Sequence, residues 1–138
     1  MIKKPLNLEG IKSQLRDHGI QPSNQRCIVA MHCLNSLEHP SADQILNEIQ
    51  KTHTHISRAT VYNTLNLFVS KGLLREVPIE KDKLRYDPLI EKHHHFYDIK
   101  TKKIYDIPWD KLKVDQLKKL SGQFKVDEYQ VLLKGIHV

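Results

Sequence analysis

The sequence predicts an α+β protein in which helices come first and a mixed region of strands and helix follows. Segments with helical periodicity and recognisable caps succeed one another as far as Gly72. Beyond that glycine, short segments separated by charged turns are typical of strands. The length of 138 residues suits one ordinary domain or two small ones and is short for most multi-layer enzymes.

Two amphipathic helices are predicted at the start of the chain. The first covers residues 8–18 and meets Gly19, which suits a helix C-cap, and the second begins at Ser23 and runs towards Leu37. Apolar side chains recur along both at the spacing of one helix face. They are Leu8, Ile11, Leu15, Ile28, Met31 and Leu34.

Two further helices carry clearer start signals. Ser41 and Gln44 form a capping box at the start of the third, and Ser57 is the N-cap of the fourth, which Gly72 ends. After them, "LLREVPI" and "LRYD" indicate a hairpin around the charged turn "EKDK". Helices followed by such a hairpin are typical of a winged helix-turn-helix, which we assign to residues 1–87. The core-facing residues are expected to be Ile45, Leu46, Ile49, Val61, Leu65, Phe68 and Val69.

Residues 88–138 are predicted to form a small α/β domain. The segments "HHHFYDI" and "IYDIP" indicate two strands joined by the turn "KTKK", and a helix with Leu112, Leu117 and Leu120 then ends at Gly122. One last, interrupted strand follows. A domain of about fifty residues buries little apolar surface alone, so we expect it to pair with a second copy as a homodimer.

The charge balance favours a polyanionic partner. Lys and Arg total 22 against 16 Asp and Glu, a net charge of +6, and nucleic acid is the commonest soluble polyanion. Cys27 and Cys33 lie six residues apart in one helix, which points them to different sides and excludes a local disulfide. These thiols, with no signal-peptide pattern and no apolar run of membrane length, predict a cytoplasmic protein.

The fourth helix has the features of a DNA-reading helix. Arg58 can pair with phosphate or guanine, Asn63 can read adenine, and Tyr62 offers a ring to a thymine methyl and a hydroxyl to phosphate. With Thr60, they fall on the outer part of its first turns. On an isolated helix such a face would be read as simply solvated. Its position before a hairpin, in a basic protein, favours double-stranded DNA as the partner.

The run "HHH" begins the first strand of the second domain. Alternate side chains of a strand share a face, so His93 and His95 point to one side and His94 to the other. If the turn is the four residues "KTKK", Tyr97 lies opposite Asp106. The Asp106 carboxylate then shares the face of the histidine pair, diagonal to His95.

Two more residues can reach this face. Asp87 lies where the chain enters the second sheet, and His39 precedes Pro40 at the start of the third helix. Three imidazoles and two carboxylates favour an ion such as Fe(II) or Mn(II) over a tetrahedral structural zinc, although Zn(II) would still bind in vitro. Taken singly, His39 is more often a loop residue and Asp106 a solvated carboxylate.

Taken together, these segments resemble the ferric uptake regulator (Fur) family of bacterial metal-dependent repressors. The similarity runs from Leu8 to about Gly135. Its most specific pieces are "HPSADQI", "ISRATVYNTLNLF", "GLLRE", "RYD", "HHH" and "KIYD", in the order of the family. No single piece decides the assignment, but the set does.

The resemblance implies a regulatory metal site at the junction of a DNA-binding and a dimerisation domain, with ligands His39, Asp87, His93, His95 and Asp106. Iron sensors of the family tend to have Glu at the last position, so Asp106 resembles the peroxide-sensing PerR branch. In that branch Fe(II) reacts with hydrogen peroxide and oxygen is added to a ligand histidine. His39 and His93 are the oxidation-sensitive residues that the resemblance implies, and Mn(II) could hold the same shape without that chemistry.

The chain departs from the family at the structural zinc site. Most members carry two CxxC pairs in the dimerisation domain, but here Asp98 and Thr101 stand at the positions of the first pair, and no second pair follows. The sequence therefore predicts no structural zinc and a dimer held by its sheet and apolar side chains. The apolar residues are Leu117, Leu120, Phe124, Val131 and Leu133.

The function predicted from the sequence is a metal-dependent transcriptional repressor that senses hydrogen peroxide, and not an enzyme. An iron- or manganese-responsive uptake regulator is the nearest alternative, because one Asp-to-Glu difference separates the branches. A small non-haem iron enzyme built on a two-histidine, one-carboxylate triad is a second alternative. A metal-independent DNA-binding module is a third.

Overall fold

The computed structural model describes residues 4–36, 38–80, 83–88, 91–120 and 122–138, with the side chains of Glu80, Lys118 and Lys119 left out. The chain folds as two compact units, Met1–Ile90 and Glu91–Val138. Within the described residues, the first unit holds four α-helices and a two-stranded sheet, and the second holds a three-stranded sheet. The predicted α+β class is confirmed.

The helices of the first unit begin at polar caps. Helix α1 spans Leu8–Asp17, α2 Asn24–Leu34, α3 Ala42–Gln50 and α4 Arg58–Ser70. A side-chain oxygen of each N-cap accepts a backbone N–H of the first turn, and these caps are Asn7, Ser23, Ser41 and Ser57. Gly19 and Gly72 have φ of +72° and +77°, a conformation that glycine adopts at little cost, so α1 and α4 end near the predicted positions.

Helix α2 ends earlier than the sequence pattern predicted. The Asn35 side chain accepts the backbone N–H of Leu6 over 2.8 Å and donates to the carbonyl of Leu6 over 3.0 Å, which ties the helix end to the segment before α1. The predicted end at Leu37 lies outside the described residues. In the part of the chain that the structure describes, no helix is long and apolar enough to cross a membrane.

The predicted core of the first unit is largely correct. Helix α2 turns small residues inward, and Leu8 and Met31, which have the spacing of one helix face with their apolar neighbours, are 48% and 40% exposed. Leu8 opens α1 beyond the edge of the core. Val69 is half-buried. The predicted residues at most 3% exposed are Ile11, Leu15, Ile45, Leu46, Ile49, Val61, Leu65 and Phe68.

The predicted hairpin follows α4 as a two-stranded sheet. Strand β1, Arg75–Glu80, pairs antiparallel with β2, Lys83–Asp87, and two residues of the predicted turn, 81–82, lie outside the described residues. An isolated bridge joins Ser41 to Arg85. This hairpin of β1 and β2, the wing, therefore lies against the segment that leads into α3.

The second unit is a mixed sheet with β3 at its centre. Strand β3, His93–Asp98, pairs antiparallel with β4, Ile104–Pro108, and parallel with β5, Leu132–Gly135. The strand order is β4-β3-β5. β3 is thus the central strand and is paired on both edges. These two pairings fix the side of the sheet to which each of its histidines points.

The predicted helix of the second unit is wrong in type. Trp109–Lys111 and Asp115–Leu120 form two short 3₁₀ helices, and Leu112 between them is extended with φ −140°. Leu120 is 43% exposed, so little burial is available to hold an α-helix of this length, which is marginal without tertiary packing. The last strand is also shorter than predicted, because residues 123–131 are neither helix nor strand.

Asp98 organises the turn that follows β3. Its carboxylate accepts the backbone N–H of Lys100 over 2.9 Å and of Thr101 over 3.3 Å, and it also accepts the backbone N–H of His137 in the C-terminal segment. Burial raises the pKa of Asp98, but these N–H groups and the Thr101 hydroxyl outweigh burial and set the pKa below its ordinary value. One carboxylate therefore links the β3–β4 turn to the end of the chain.

We expect Asp98→Asn to destabilise the second unit at neutral pH, because an amide accepts these N–H groups less strongly than a carboxylate does. Because the pKa of Asp98 is lower in the folded state, its ionised carboxylate stabilises the fold at pH values above the unfolded-state pKa of about 3.9. This stabilisation is lost as the pH falls through the folded-state pKa. The advantage of the wild type in urea midpoint should therefore be constant near neutral pH and shrink below about pH 4. Fluorescence of Trp109, the single tryptophan, reports the transition.

The matched control for this prediction is Asp110→Asn, which removes the same charge from an exposed position of the same unit. It should leave the urea midpoint close to that of the wild type at every pH. A difference between wild type and Asp98→Asn that does not vary with pH would contradict the role given to the Asp98 carboxylate.

Candidate metal centre and nucleic-acid interface

The β3–β4 register sets which side chains meet on the sheet. His95 lies directly opposite Asp106, and Tyr97 lies opposite Ile104, so the predicted register is wrong by two residues. The turn has the predicted length but lies one residue earlier in the chain, because the backbone N–H of Asp98 donates to the Lys103 carbonyl over 2.9 Å and that of Lys102, with φ +63°, donates to the Asp98 carbonyl over 2.8 Å. A shift of two preserves the face of every side chain, so Asp106 still shares the face of His93 and His95.

The second unit brings these three predicted ligands into a cluster. The Nε2 atoms of His93 and His95 are 3.0 Å apart, and Asp106 Oδ1 lies 3.6 Å from each. The two imidazoles are at most 4% exposed, whereas the Asp106 side chain is 38% exposed. Two nitrogen donors and one oxygen donor therefore converge within the reach of a single ion.

His93 is oriented for ligation by its second ring nitrogen. Its Nδ1 lies 2.6 Å from the backbone carbonyl of Glu91, so Nδ1 carries the proton and donates to that oxygen. The lone pair then lies on Nε2, the atom that faces His95. A backbone carbonyl behind a ligand imidazole is the usual means of holding a metal-binding tautomer.

The first unit brings together the other two predicted ligands. His39 Nε2 lies 3.4 Å from Asp87 Oδ2, and the two residues are 3% and 1% exposed. His39 has φ +52°, a conformation that few residues other than glycine adopt and that is found at functional sites. A buried imidazole and carboxylate with strained backbone form a second donor pair.

The wing holds the backbone of the His39 segment in place. The Arg85 guanidinium donates to the carbonyl of His39, and its Nη2 donates to the carbonyl of Glu38 over 3.1 Å. The backbone N–H of Tyr86 donates to the carbonyl of Pro40 over 3.0 Å. This role of Arg85 could not be predicted from the sequence, because its partners are 46 and 47 residues away and no local pattern marks them.

His94 lies on the opposite face of β3, as alternation predicted. It is fully buried, its ring stacks on Trp109 with centroids 4.5 Å apart, and its Nδ1 accepts the backbone N–H of Val131 over 3.0 Å. Lys92 Nζ lies 5.6 Å from the Trp109 ring centroid on the same side. His94 therefore packs the sheet instead of facing solvent.

The four predicted DNA-contacting residues lie in the first turns of α4. Arg58, Tyr62 and Asn63 are exposed and Thr60 is half-buried, and the Thr60 hydroxyl lies 3.0 Å from the N-cap hydroxyl of Ser57. Asp43 of α3, whose role no sequence pattern predicted, accepts hydrogen bonds from both Arg58 and Tyr62. On this face, two side chains that could donate hydrogen bonds to a base or a phosphate of DNA already donate to a carboxylate.

Comparison with known proteins decides the family. The sequence profile of the Ferric uptake regulator family matches residues 17–134, most of the chain. The chain belongs to the ferric uptake regulator family. It is therefore a metal-responsive regulator of a DNA-binding family and not an enzyme.

Two characterised Fur-family relatives are peroxide regulators. The peroxide-responsive repressor PerR of Staphylococcus saprophyticus is 29% identical over 130 residues, which cover 94% of this chain and 88% of the relative. The peroxide operon regulator of Bacillus subtilis is 30% identical over 123 residues, which cover 88% of this chain and 85% of the relative.

Solved structures of Fur-family proteins share the fold. The ferric uptake regulator of Helicobacter pylori, described with three functional metal binding sites, has a TM-score of 0.75 at 21% identity and covers 98% of this chain and 94% of its own. PerR of Streptococcus pyogenes has a TM-score of 0.52 at 30% identity and covers 99% and 95%. The fold of these proteins is thus shared over nearly the whole length of the chain.

Proposed function

We propose that the chain is a homodimeric, metal-dependent transcriptional repressor that senses hydrogen peroxide through Fe(II)-promoted oxidation of a ligand histidine. The observation that carries the proposal is the convergence of His93, His95 and Asp106 on one face of β3 and β4. The similarity to two peroxide regulators favours peroxide as the signal.

One ion is proposed to join the two donor sets. His39 and Asp87 supply two donors and His93, His95 and Asp106 supply three, and only the two sets together fill five of the coordination positions of Fe(II) or Mn(II) with protein atoms. Asp87 and His93 are six residues apart, and a chain of that length spans up to about 20 Å, so one ion can be reached from both.

The donor chemistry fits Fe(II) or Mn(II). Three imidazole nitrogens and two carboxylate oxygens, with no thiolate, suit borderline and hard divalent ions in preference to a tetrahedral structural zinc, although Zn(II) can bind the same set in vitro. Cys27 and Cys33 are both buried in the core of the first unit and take no part. Five protein ligands leave a sixth position for peroxide.

Metal binding is proposed to control DNA affinity by linking the domains. An ion held by ligands from residues 1–87 and from residues 88–138 binds most tightly to the arrangement that presents all five at once. The ion therefore raises the population of that arrangement. The shift is limited by how much more tightly the ion binds to that arrangement than to others. Arg58, Thr60, Tyr62 and Asn63 are proposed to contact the DNA.

A second copy of the chain is the proposed partner of the second unit. Phe124, Leu133 and Leu120 are 60%, 41% and 43% exposed, and they are the apolar side chains that a second copy is proposed to cover. Leu117 and Val131 are half-buried in the single chain. Burying these side chains between two copies would hold the dimer without a structural zinc.

The proposed oxidation balances on the histidine ring. One oxygen atom of hydrogen peroxide is added to an imidazole carbon of His39 or His93, the other leaves as water, and the ring loses two electrons. Fe(II), when bound, supplies the one-electron chemistry that activates peroxide beside the ring. Cys33 does not compete, because burial raises its pKa to about 12 and leaves almost no reactive thiolate at neutral pH.

A peroxide pulse on the Fe(II)-loaded and Mn(II)-loaded protein tests the proposal. We expect one added oxygen on His39 or His93 and loss of DNA affinity in the Fe(II) protein, and neither change in the Mn(II) protein. The tryptic peptide 93–100 contains no Met or Cys, so added mass there reports histidine or its aromatic neighbours directly. Peptide 27–51 holds His39 together with Met31, so fragment ions must locate the oxygen.

The same experiment separates the main alternative. If the Fe(II) protein keeps its DNA affinity and gains no oxygen on either histidine, peroxide sensing is excluded and an iron- or manganese-responsive uptake regulator is left. Oxidation of Met31 alone, which is 40% exposed, should occur with either metal and does not count as sensing.

A further inference from the structure

Asp43 lies in the first turn of α3, and its carboxylate accepts hydrogen bonds from side chains of α4. One oxygen, Oδ1, accepts hydrogen bonds from the Arg58 guanidinium over 2.6 Å and from the Tyr62 hydroxyl over 2.8 Å. The guanidinium also lies 5.9 Å from the centroid of the Tyr62 ring. These three side chains form a single cluster across two helices of the same unit, the Asp43 cluster.

The Asp43 cluster lies in solvent on the face proposed to meet DNA. The side chains of Arg58 and Asp43 are 64% and 63% exposed, and an ion pair so exposed contributes little to folding stability. Hydrogen bonds from Tyr62 and then Arg58 lower the pKa of Asp43, so the group is ionised at neutral pH. A fixed negative charge on such a face opposes phosphate binding.

We propose that Asp43 is a positioning residue that increases the selectivity of DNA recognition by α4 and lowers its affinity for DNA of arbitrary sequence. This inference rests on the proposed DNA-binding function. Asp43 holds Arg58 and Tyr62 in one arrangement before binding, so a base that fits that arrangement meets side chains already ordered.

The geometry leaves Arg58 able to read bases. Asp43 engages Nη1, and guanidinium has further N–H groups that can donate to a guanine edge. The neighbouring carboxylate cancels much of the attraction of Arg58 for phosphate, an attraction that every sequence would satisfy equally. A duplex without the matching base is therefore repelled by the Asp43 carboxylate and gains no base hydrogen bond from Arg58 to offset that repulsion.

The test compares Asp43→Asn with the wild type, both full-length and loaded with Mn(II). The probes are a duplex that the wild type enriches from a random library and a scrambled duplex of the same composition. We expect Asp43→Asn to bind the scrambled duplex more tightly, with a salt dependence steeper by about one ion, as Arg58 becomes free to contact phosphate. The ratio of the two affinities should fall about tenfold.

Two further variants keep the result interpretable. Asp43→Glu restores the carboxylate and should recover most of the affinity ratio. Glu48→Gln removes the same charge from α3, where Glu48 pairs with Lys51 over 2.7 Å, and should leave the ratio and the salt dependence unchanged.

An equal gain of affinity for both duplexes in Asp43→Asn would overturn the inference, because it would make Asp43 a general repulsive charge. An unchanged ratio and salt dependence would overturn it as well. Failure of the wild type to enrich any duplex would instead overturn the proposed DNA-binding function, and the inference with it.

Discussion

Replacing His93 and His95 together by alanine is expected to abolish metal-dependent DNA binding. The double variant removes two of the three proposed nitrogen donors and leaves one imidazole and two carboxylates, a set that should bind Fe(II) or Mn(II) much more weakly than all five donors do. Loss of a residue that only supports a ligand costs about 10- to 100-fold in metal affinity, so losing two ligands should cost more than about 100-fold. A titration with Mn(II), followed by DNA binding with and without the metal, measures both effects.

The control for the double variant is His18→Ala. His18 is half-buried at the end of α1, its Nδ1 lies 2.8 Å from the carbonyl of Gln14, and it is not one of the five clustered donors. Fluorescence of Trp109, which stacks on His94, shows whether the sheet of the second unit remains folded. Equal, metal-independent DNA binding by the wild type and the double variant would support a DNA-binding module in which the histidines have no regulatory role.

Replacing Phe68 by alanine is expected to cost the first unit about 3–5 kcal/mol of folding free energy, because the change leaves a cavity in a closely packed core. Phe68 is fully buried on the inner face of α4, in the same cluster as Leu65 and Val61. Single domains are typically stable by about 5–15 kcal/mol, so this loss removes a large part of the total stability. Urea denaturation followed by far-ultraviolet circular dichroism measures the loss.

The opposite face of α4 provides the contrast for Phe68→Ala. Tyr62 is 36% exposed, so Tyr62→Ala should change stability little while weakening DNA binding and leaving metal affinity intact. A Tyr62 variant that lost metal affinity would contradict the proposed division between the two domains. A Phe68 variant as stable as the wild type would contradict the packing of α4 against the core.

The helices could be predicted because their determinants are local. Ser41 with Gln44, Ser57, Gly19 and Gly72 mark helix ends through side chains and backbone conformations within a few residues. The segment from Trp109 to Leu120 could not be predicted in the same way. Its leucines have helical spacing, but whether they form an α-helix depends on what they pack against, and no local pattern carries that information.

The candidate metal centre was partly predictable for a geometric reason. Side chains alternate along a strand with a period of two, so the pairing of His93 with His95 survives any register, and Asp106 joins them in every second register. The predicted register was wrong by two residues and the face was still correct. The contact between Asp43 and Arg58 joins two helices across fifteen residues and depends on tertiary packing, which spacing alone does not reveal.

The Asp98 turn has a consequence for how the protein withstands the signal it is proposed to detect. The Asp98 carboxylate is held by the backbone N–H groups of Lys100, Thr101 and His137. These contacts contain no thiol that an oxidant could modify and no metal ion that a chelator could remove. A chelator or an oxidant that strips or damages the histidine ligands therefore leaves this link between turn and chain end untouched. Inactivation of the sensor and collapse of its scaffold become separate events, so a damaged molecule can remain folded.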